Sequence, residues 1–391
     1  MKYINELKGL VKHNIRDYGM YIALIVIMIT FQILTNGLFM SSRNISNLLD
    51  SAGYIAVLAV GVMLVIVIRH IDLSIGFLAG FLGAIAAILL MQFNMPVFIV
   101  IPIILILGIC AGSATGFLVA KVGIPAFVAT LAGWLIYRGA ILLATEKSGT
   151  IIVDNDAFNA IGNGYIPSIA EVGGFHLLSL LLGLVGILFY IYSAITNRRN
   201  KIKYEFDVVS KPIFILQLLF VSGIMAYITW LLAGYNGFSW TVIIILVVVL
   251  VYHFITTKTV IGRHIYSVGS NPEAAHLTGI SVSKITFLVF GSMGMLSALS
   301  GILFTARLQS ATTTAGTLFE LDAIAAAFVG GVSAAGGVGK VTGAVIGAIV
   351  MATLTNGMNL LGVGIAPQYM IRGGVLALAV IFDVMTRKQR A

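Results

Sequence analysis

Charge is what this sequence has least of: 9% of its 391 residues are Asp, Glu, Lys or Arg, against roughly 25% in a soluble domain. That deficit excludes an ordinary water-soluble surface. Cysteine occurs once, as Cys110, which excludes an intramolecular disulfide. Its place in an apolar run reads as packing rather than chemistry. The six histidines (His13, His70, His176, His253, His264, His276) are scattered without metal-ligand spacing, so no metal is expected. A phosphate-cradling loop needs G-x-x-x-x-G-K-[ST]. The nearest approach, ending on Gly339-Lys340, has Ala334 at the first glycine position and Val341 where Ser or Thr is needed. ATP binding by this chain is therefore not expected, and no cofactor is implied. There is no G-x-S-x-G elbow, and no cluster of catalytic polar residues is evident at one membrane face. An enzyme is not expected.

What is present is apolar. Hydrophobic residues make up 59% and the mean hydropathy is +1.06, the signature of an integral membrane protein. Runs long enough for spans of about 20 residues lie near 18–39, 51–69, 74–93, 97–120, 124–146, 175–196, 212–233, 238–257, 284–306, 319–333, 340–361 and 366–386. The expected fold is an all-α polytopic bundle of about twelve helices across 18–386. The run 319–333 is short and ends near Gly330-Gly331, so it is readable as a full span or as a re-entrant segment. The basic segment 1–17 enters the first run without a small-residue cleavage site and reads as a lead-in, not a removable signal. Placing it inside and alternating the spans puts 18 of the 23 lysines and arginines on the cytoplasmic side. The other five are Arg43, Arg138, Lys147, Arg307 and Arg372. The positive-inside rule favours that orientation, with both termini, including the tail 387–391, in the cytoplasm.

Glycine pairs four apart, Gly76/Gly80, Gly112/Gly116 and Gly343/Gly347, allow helix backbones to approach closely. Polar residues inside spans are costly and point to a pathway or to inter-helix bonds. They are Asp72 and Ser74, Glu320 and Asp322, Asn356 and Asn359, and Gln368, Tyr369 and Arg372. Arg372 pairs with Asp322 or Glu320 only if those segments are neighbours. The outer stretch from Lys147 to Gly174 reads as a solvated connector. The charge run Asn197 to Lys211 reads as a topology anchor.

The stretch from Gly262 to Lys284 is the longest polar, loop-like part of the second half. It holds one short helix with its own signals. Asn271 is an N-cap, Pro272 suits the first helical position, Glu273 complements the positive helix end, and Gly279 stops the helix. Two turns cannot span a membrane, so this helix lies against something.

Glu273-Ala274-Ala275-x3-Gly279 resembles the E-A-A-x3-G coupling motif of ABC importer permeases. The lead-in from Gly262 to Asn271 resembles the GRxIYAxGGN segment of the ribose/xylose branch, departing at Ser267 and Ser270. Ile71 to Gly76 resembles its IDLSVG signature. Ala315 to Ala326, followed by Gly330-Gly331, resembles its AGxxxELDAIAA…GG block, and Asn356 to Gly362 its NGLNLLG block. The matches run in the family's order over most of the chain. Its length resembles the xylose-type and multiple-monosaccharide permeases: a ten-helix core with two added helices, here within 188–237.

The resemblance implies a permease subunit for a monosaccharide, xylose or a related pentose or hexose, in a bacterial cytoplasmic membrane. It implies a homodimer or paired permease, a cytoplasmic ABC ATPase with two nucleotide-binding domains, and an extracytoplasmic sugar-binding protein. The 262–284 loop would be the coupling loop, with Asn271, Pro272, Glu273, Ala274, Ala275 and Gly279 contacting the ATPase. Glu320, Asp322, Asn356 and Asn359 are the expected pathway residues, able to hydrogen-bond sugar hydroxyls. A twelve-span ion-coupled secondary transporter fits the span count. It predicts two similar halves and a relay of intramembrane carboxylates, neither of which is evident.

Overall fold

In a computed structural model the described residues are 15–146 and 148–388. The segment 1–14, Lys147 and the last three residues lie outside them, and with them most of the expected N-terminal segment and tail. Each apolar run becomes a helix: α1 Ile15–Leu34, α2 Ser42–Val67, α3 Ile75–Met91, α4 Val97–Phe117 and α5 Ala126–Thr145. After the short helix α6 Asp156–Asn163 come α7 Leu177–Lys203, α8 Lys211–Ala233 and α9 Trp240–Lys258. Then follow α10 Val260–Ser270, α11 Pro272–Leu277, α12 Val282–Leu308, α13 Phe319–Val329, α14 Val341–Leu360 and α15 Ile365–Lys388. Among the described residues nine helices are long and apolar enough to cross a membrane, with two shorter apolar ones at Gly19–Leu34 and Ile75–Met91. The protein is an all-α, multi-pass membrane protein.

One expectation needs correction, and one segment gains structure. The stretch Gly262–Ser270 is helical, not loop-like: the Thr259 hydroxyl accepts from the Gly262 amide and starts α10. The basic run from Asn197 to Lys203 is likewise the last turns of α7, where lysines near a C-terminus favour the helix dipole. The sequence also gave no sign of two small antiparallel ladders. One pairs β1 Thr150–Ile152 with β4 Ser310–Thr312, and the other pairs β2 Glu171–Val172 with β3 Phe175–His176.

The core is organised on α2, whose apolar window is 89% buried inside the protein. Helix α12 runs antiparallel beside it. The Ser300 hydroxyl donates to the Tyr54 carbonyl, and Arg307 donates to Asn47 at one end while Met293 packs near Gly61 further along. α12 also interlocks with α4, where a Cβ on Gly108 or Gly112 would collide with the backbone of Gly294. The close approach adds van der Waals contact that lipid cannot supply. By contrast α7 and α8 pack mainly on each other and expose Leu184, Leu188, Phe189, Leu219 and Phe220, as lipid-facing surfaces do.

The ambiguous run 319–333 resolves in a specific way. β4, just after α12, lies at the Ser42 end of α2, and the Gly337 amide donates to the Val67 carbonyl at the other end. The chain from 309 to 337 therefore travels the whole length of α2. It does so as a short helix flanked by irregular backbone. Arg138 of α5 donates to the Thr313 carbonyl at 2.6 Å, a protein partner for part of the irregular backbone.

Candidate functional site

Helices α2, α13, α14 and α15 enclose a cavity of about 130 Å³. Its polar lining comes from Ser51 and Tyr54 on α2, Asp322 on α13, Thr355, Asn356 and Asn359 on α14, and Arg372 on α15. The Arg372 guanidinium lies 3.2 Å from the Asp322 carboxylate. This pair neutralises two charges that would be costly alone in a membrane. Asn356 exchanges two amide hydrogen bonds with Asn44, at 2.9 and 3.0 Å. Gln368 donates to Asn359 at 2.8 Å and also to the Val363 carbonyl. The Tyr54 ring packs against Phe304 and Phe319, with centroids 5.1 and 4.8 Å away. Hydroxyl, amide and charged groups thus converge beside an aromatic wall, a combination suited to a small polyhydroxylated molecule.

Three of the four expected pathway residues, Asp322, Asn356 and Asn359, meet at this cavity. Glu320 does not line it. It points to the other side of α13, where one carboxylate oxygen accepts from the Trp134 indole at 3.1 Å and the other is sealed against Gly76. Positions 320 and 322 are about 200° apart on a helix, which explains the split. Sequence reasoning missed Ser51, Tyr54 and Thr355, since a hydroxyl in an apolar helix is not distinctive. Asn44 was hidden too, because it lies outside the expected second span.

At the opposite end of the bundle lies α11. The Asn271 side chain accepts from the Ala274 amide at 3.0 Å, Pro272 opens the helix, and Glu273 stands in its first turn. Gly279 follows with φ +84°, a conformation glycine adopts without a Cβ penalty. Ala275 is buried against the bundle, whereas Glu273, Ala274 and Leu277 are exposed. Leu277 is 86% exposed, an apolar side chain on the open side of this short helix. Beside the exit of α11 a larger open groove of about 700 Å³ runs between Val119–Ala126 and Gly279–Ser283, with His70 and His276 on its walls. Burial lowers the pKa of His70 and favours its neutral form. Among the described residues no group of three His, Cys, Asp or Glu is placed to hold a metal ion.

Comparisons with known proteins bear on both features. The family described as "Branched-chain amino acid transport system / permease component" matches residues 44–380. The Xylose transport system permease protein XylH of Haemophilus influenzae is 39% identical over 377 residues, covering 96% of this chain and 98% of that protein. The protein of the same name from Escherichia coli (strain K12) is 36% identical over 381 residues, 97% of this chain and 95% of the relative. The Ribose import permease protein RbsC of Haemophilus influenzae is 35% identical over 366 residues, 93% of this chain and 91% of the relative. No solved structure matches.

Proposed function

This chain belongs to the branched-chain amino acid transport system permease component family, and from that premise we propose that it is the membrane subunit of an ATP-driven importer carrying a monosaccharide inward. The relatives named for xylose and ribose point to sugar rather than amino acid. Xylose is the first substrate to test, because xylose permeases match over 96–97% of this chain. Ion-coupled secondary transport is not favoured. Asp322, the carboxylate at the cavity, is neutralised by Arg372 rather than standing in a relay.

The observation that carries the reading is α11: a capped two-turn helix with one face anchored through Ala275 and the other open through Glu273, Ala274 and Leu277. Asn271 to Gly279 is the surface on which a separate ATPase chain with two nucleotide-binding domains docks. The working unit pairs two permease subunits in a bacterial cytoplasmic membrane, with both termini and α11 inside. An extracytoplasmic binding protein delivers sugar from outside. Asp322, Asn356 and Asn359, joined by Arg372, Ser51 and Tyr54, form the polar part of the route, where amide and carboxylate groups replace the water on sugar hydroxyls. The inserted pair is α7 and α8.

The test is uptake of radiolabelled xylose, ribose and galactose by cells carrying the complete transport system, with and without this chain. Loss of xylose uptake on deletion, restored by the intact chain and not by Glu273→Lys, is expected. Unchanged uptake of all three sugars on deletion would refute the sugar assignment.

A further inference from the structure

The four helices that wall the cavity also meet at one cytoplasmic junction, and α10 and α11 are fastened to that same junction. Its centre is Arg69, two residues past the end of α2. Arg69 holds a left-handed backbone, φ +65°, which turns its side chain across the end of α10. Its Nε donates to the Gly269 carbonyl at 2.7 Å, and its Nη2 donates to the Ser270 carbonyl. These are the last two residues of α10, whose carbonyls have no partner within the helix. A guanidinium there satisfies them and complements the negative helix end. The next residue, Asn271, is the N-cap of α11. The clamp therefore sits directly at the hinge between α10 and α11.

The loop between α13 and α14 closes over the clamp. The Gly337 amide donates to the Val67 carbonyl at 2.8 Å, and the Tyr266 hydroxyl of α10 donates to the Gly339 carbonyl at 2.7 Å. A Cβ on Gly336 would collide with the Arg69 side chain, and a Cβ on Gly337 would press on Ser270. Both glycines have positive φ, +83° and +70°. Asp383 of α15 joins by accepting from the Ser333 hydroxyl at 3.3 Å and the Ala334 amide at 3.1 Å. α2, α13, α14 and α15 are thus all tied, at or near their inner ends, to the α10–α11 hinge.

We propose that Arg69 is a positioning residue for transport: it rigidly links α10–α11 to the inner ends of the cavity-walling helices, so that movement of α11 on its ATPase is passed to the cavity. The inference rests on the importer reading above. A packed element that reaches both sites can carry coupling of this kind. Here that element is α2, which carries Arg69 at one end and Ser51 and Tyr54 on the cavity wall.

The test uses the full complex, purified through the permease with the ATPase that accompanies it and reconstituted with its binding protein. Arg69→Ala is compared with Arg69→Lys and with Arg198→Ala, which removes a similar arginine–carbonyl bond to Val209 on the inserted pair. For Arg69→Ala the ATPase co-purifies and hydrolyses ATP without sugar. Stimulation by sugar-loaded binding protein and xylose uptake both fall several-fold. Arg69→Lys recovers part of both, and Arg198→Ala matches wild type. If Arg69→Ala fails to accumulate in the membrane, Gly337→Ala and Arg69→Lys are read instead, with the same split between basal and stimulated hydrolysis. Full stimulation and uptake in the Arg69 and Gly337 variants, beside a coupled wild type, would overturn the inference alone. A wild-type permease that brings down no ATPase would overturn the functional reading and this inference with it.

Discussion

At the scale of single residues, the cavity makes two kinds of polar contact with different consequences. Arg372 and Asp322 are each about one-fifth exposed and 3.2 Å apart. Removing only the cation by Arg372→Met leaves a carboxylate inside the bundle, an expected cost approaching about 3 kcal/mol, the lower end for a buried unpaired charge. Thermal unfolding in detergent should show the loss. The double change Arg372→Met with Asp322→Leu should recover most of that stability while xylose uptake stays low. Recovery of uptake together with stability would mean that the pair only joins α13 to α15. The Asn44–Asn356 pair differs in that each amide serves the other. Asn356→Ala should therefore lower both stability, by about 1–3 kcal/mol for the amide left unsatisfied, and uptake by the protein that folds. Normal uptake per folded molecule would remove Asn356 from the route. Local chemistry at Asn271, Pro272 and Gly279 was readable because a cap depends on neighbours within four residues. The partner of Asn356 was not, since it lies 312 residues away.

At the scale of elements, α11 and α13 carry the argument. For α11, Asn271→Ala removes the cap and should cost about 0.5–2 kcal/mol locally, seen as faster amide exchange over 272–277. Leu277→Asp touches no buried contact. It should leave thermal stability unchanged and yet reduce ATPase co-purification several-fold. If Leu277→Asp retains the ATPase fully, the open face of α11 is not the docking surface. Helix α13 shows where the sequence was ambiguous for a physical reason. Its 11 residues are too few to cross a membrane unaided, at about 1.5 Å rise each. The rest of the passage along α2 is made by β4 and by irregular backbone from 313 to 318 and 330 to 337, held by Arg138 and by the end of α2. Periodicity cannot detect a crossing that is mostly not helical. The glycines that permit it are visible in the sequence, though their partners are not. Gly347 fits against the Ala326 carbonyl and Gly330, leaving no room for a Cβ between α13 and α14.

At the scale of the whole molecule, orientation is the claim most open to a direct test. With Cys110 replaced by Ala, single cysteines at Gly173 and Leu277 should react with a membrane-impermeant thiol reagent from opposite sides: Gly173 in intact cells, Leu277 only after permeabilisation. Labelling of both from outside would invert the proposed topology. Composition and local contacts, though not enough to reveal the helices α6 and α10, established the membrane class, the approximate places of the long apolar helices and the capping of α11. Each depends on composition or on contacts within a turn or two, and charge bias and hydropathy add up residue by residue along the chain. Which polar residues share a space depended on the packing of distant helices. It separated Glu320 from Asp322 across one helix, joined Asp322 to Arg372 and Asn356 to Asn44, and brought Arg69 to the end of α10, 200 residues on. Those pairings follow from how helices pack, and packing is set by small residues and shape over many simultaneous contacts. No window along the chain contains that information.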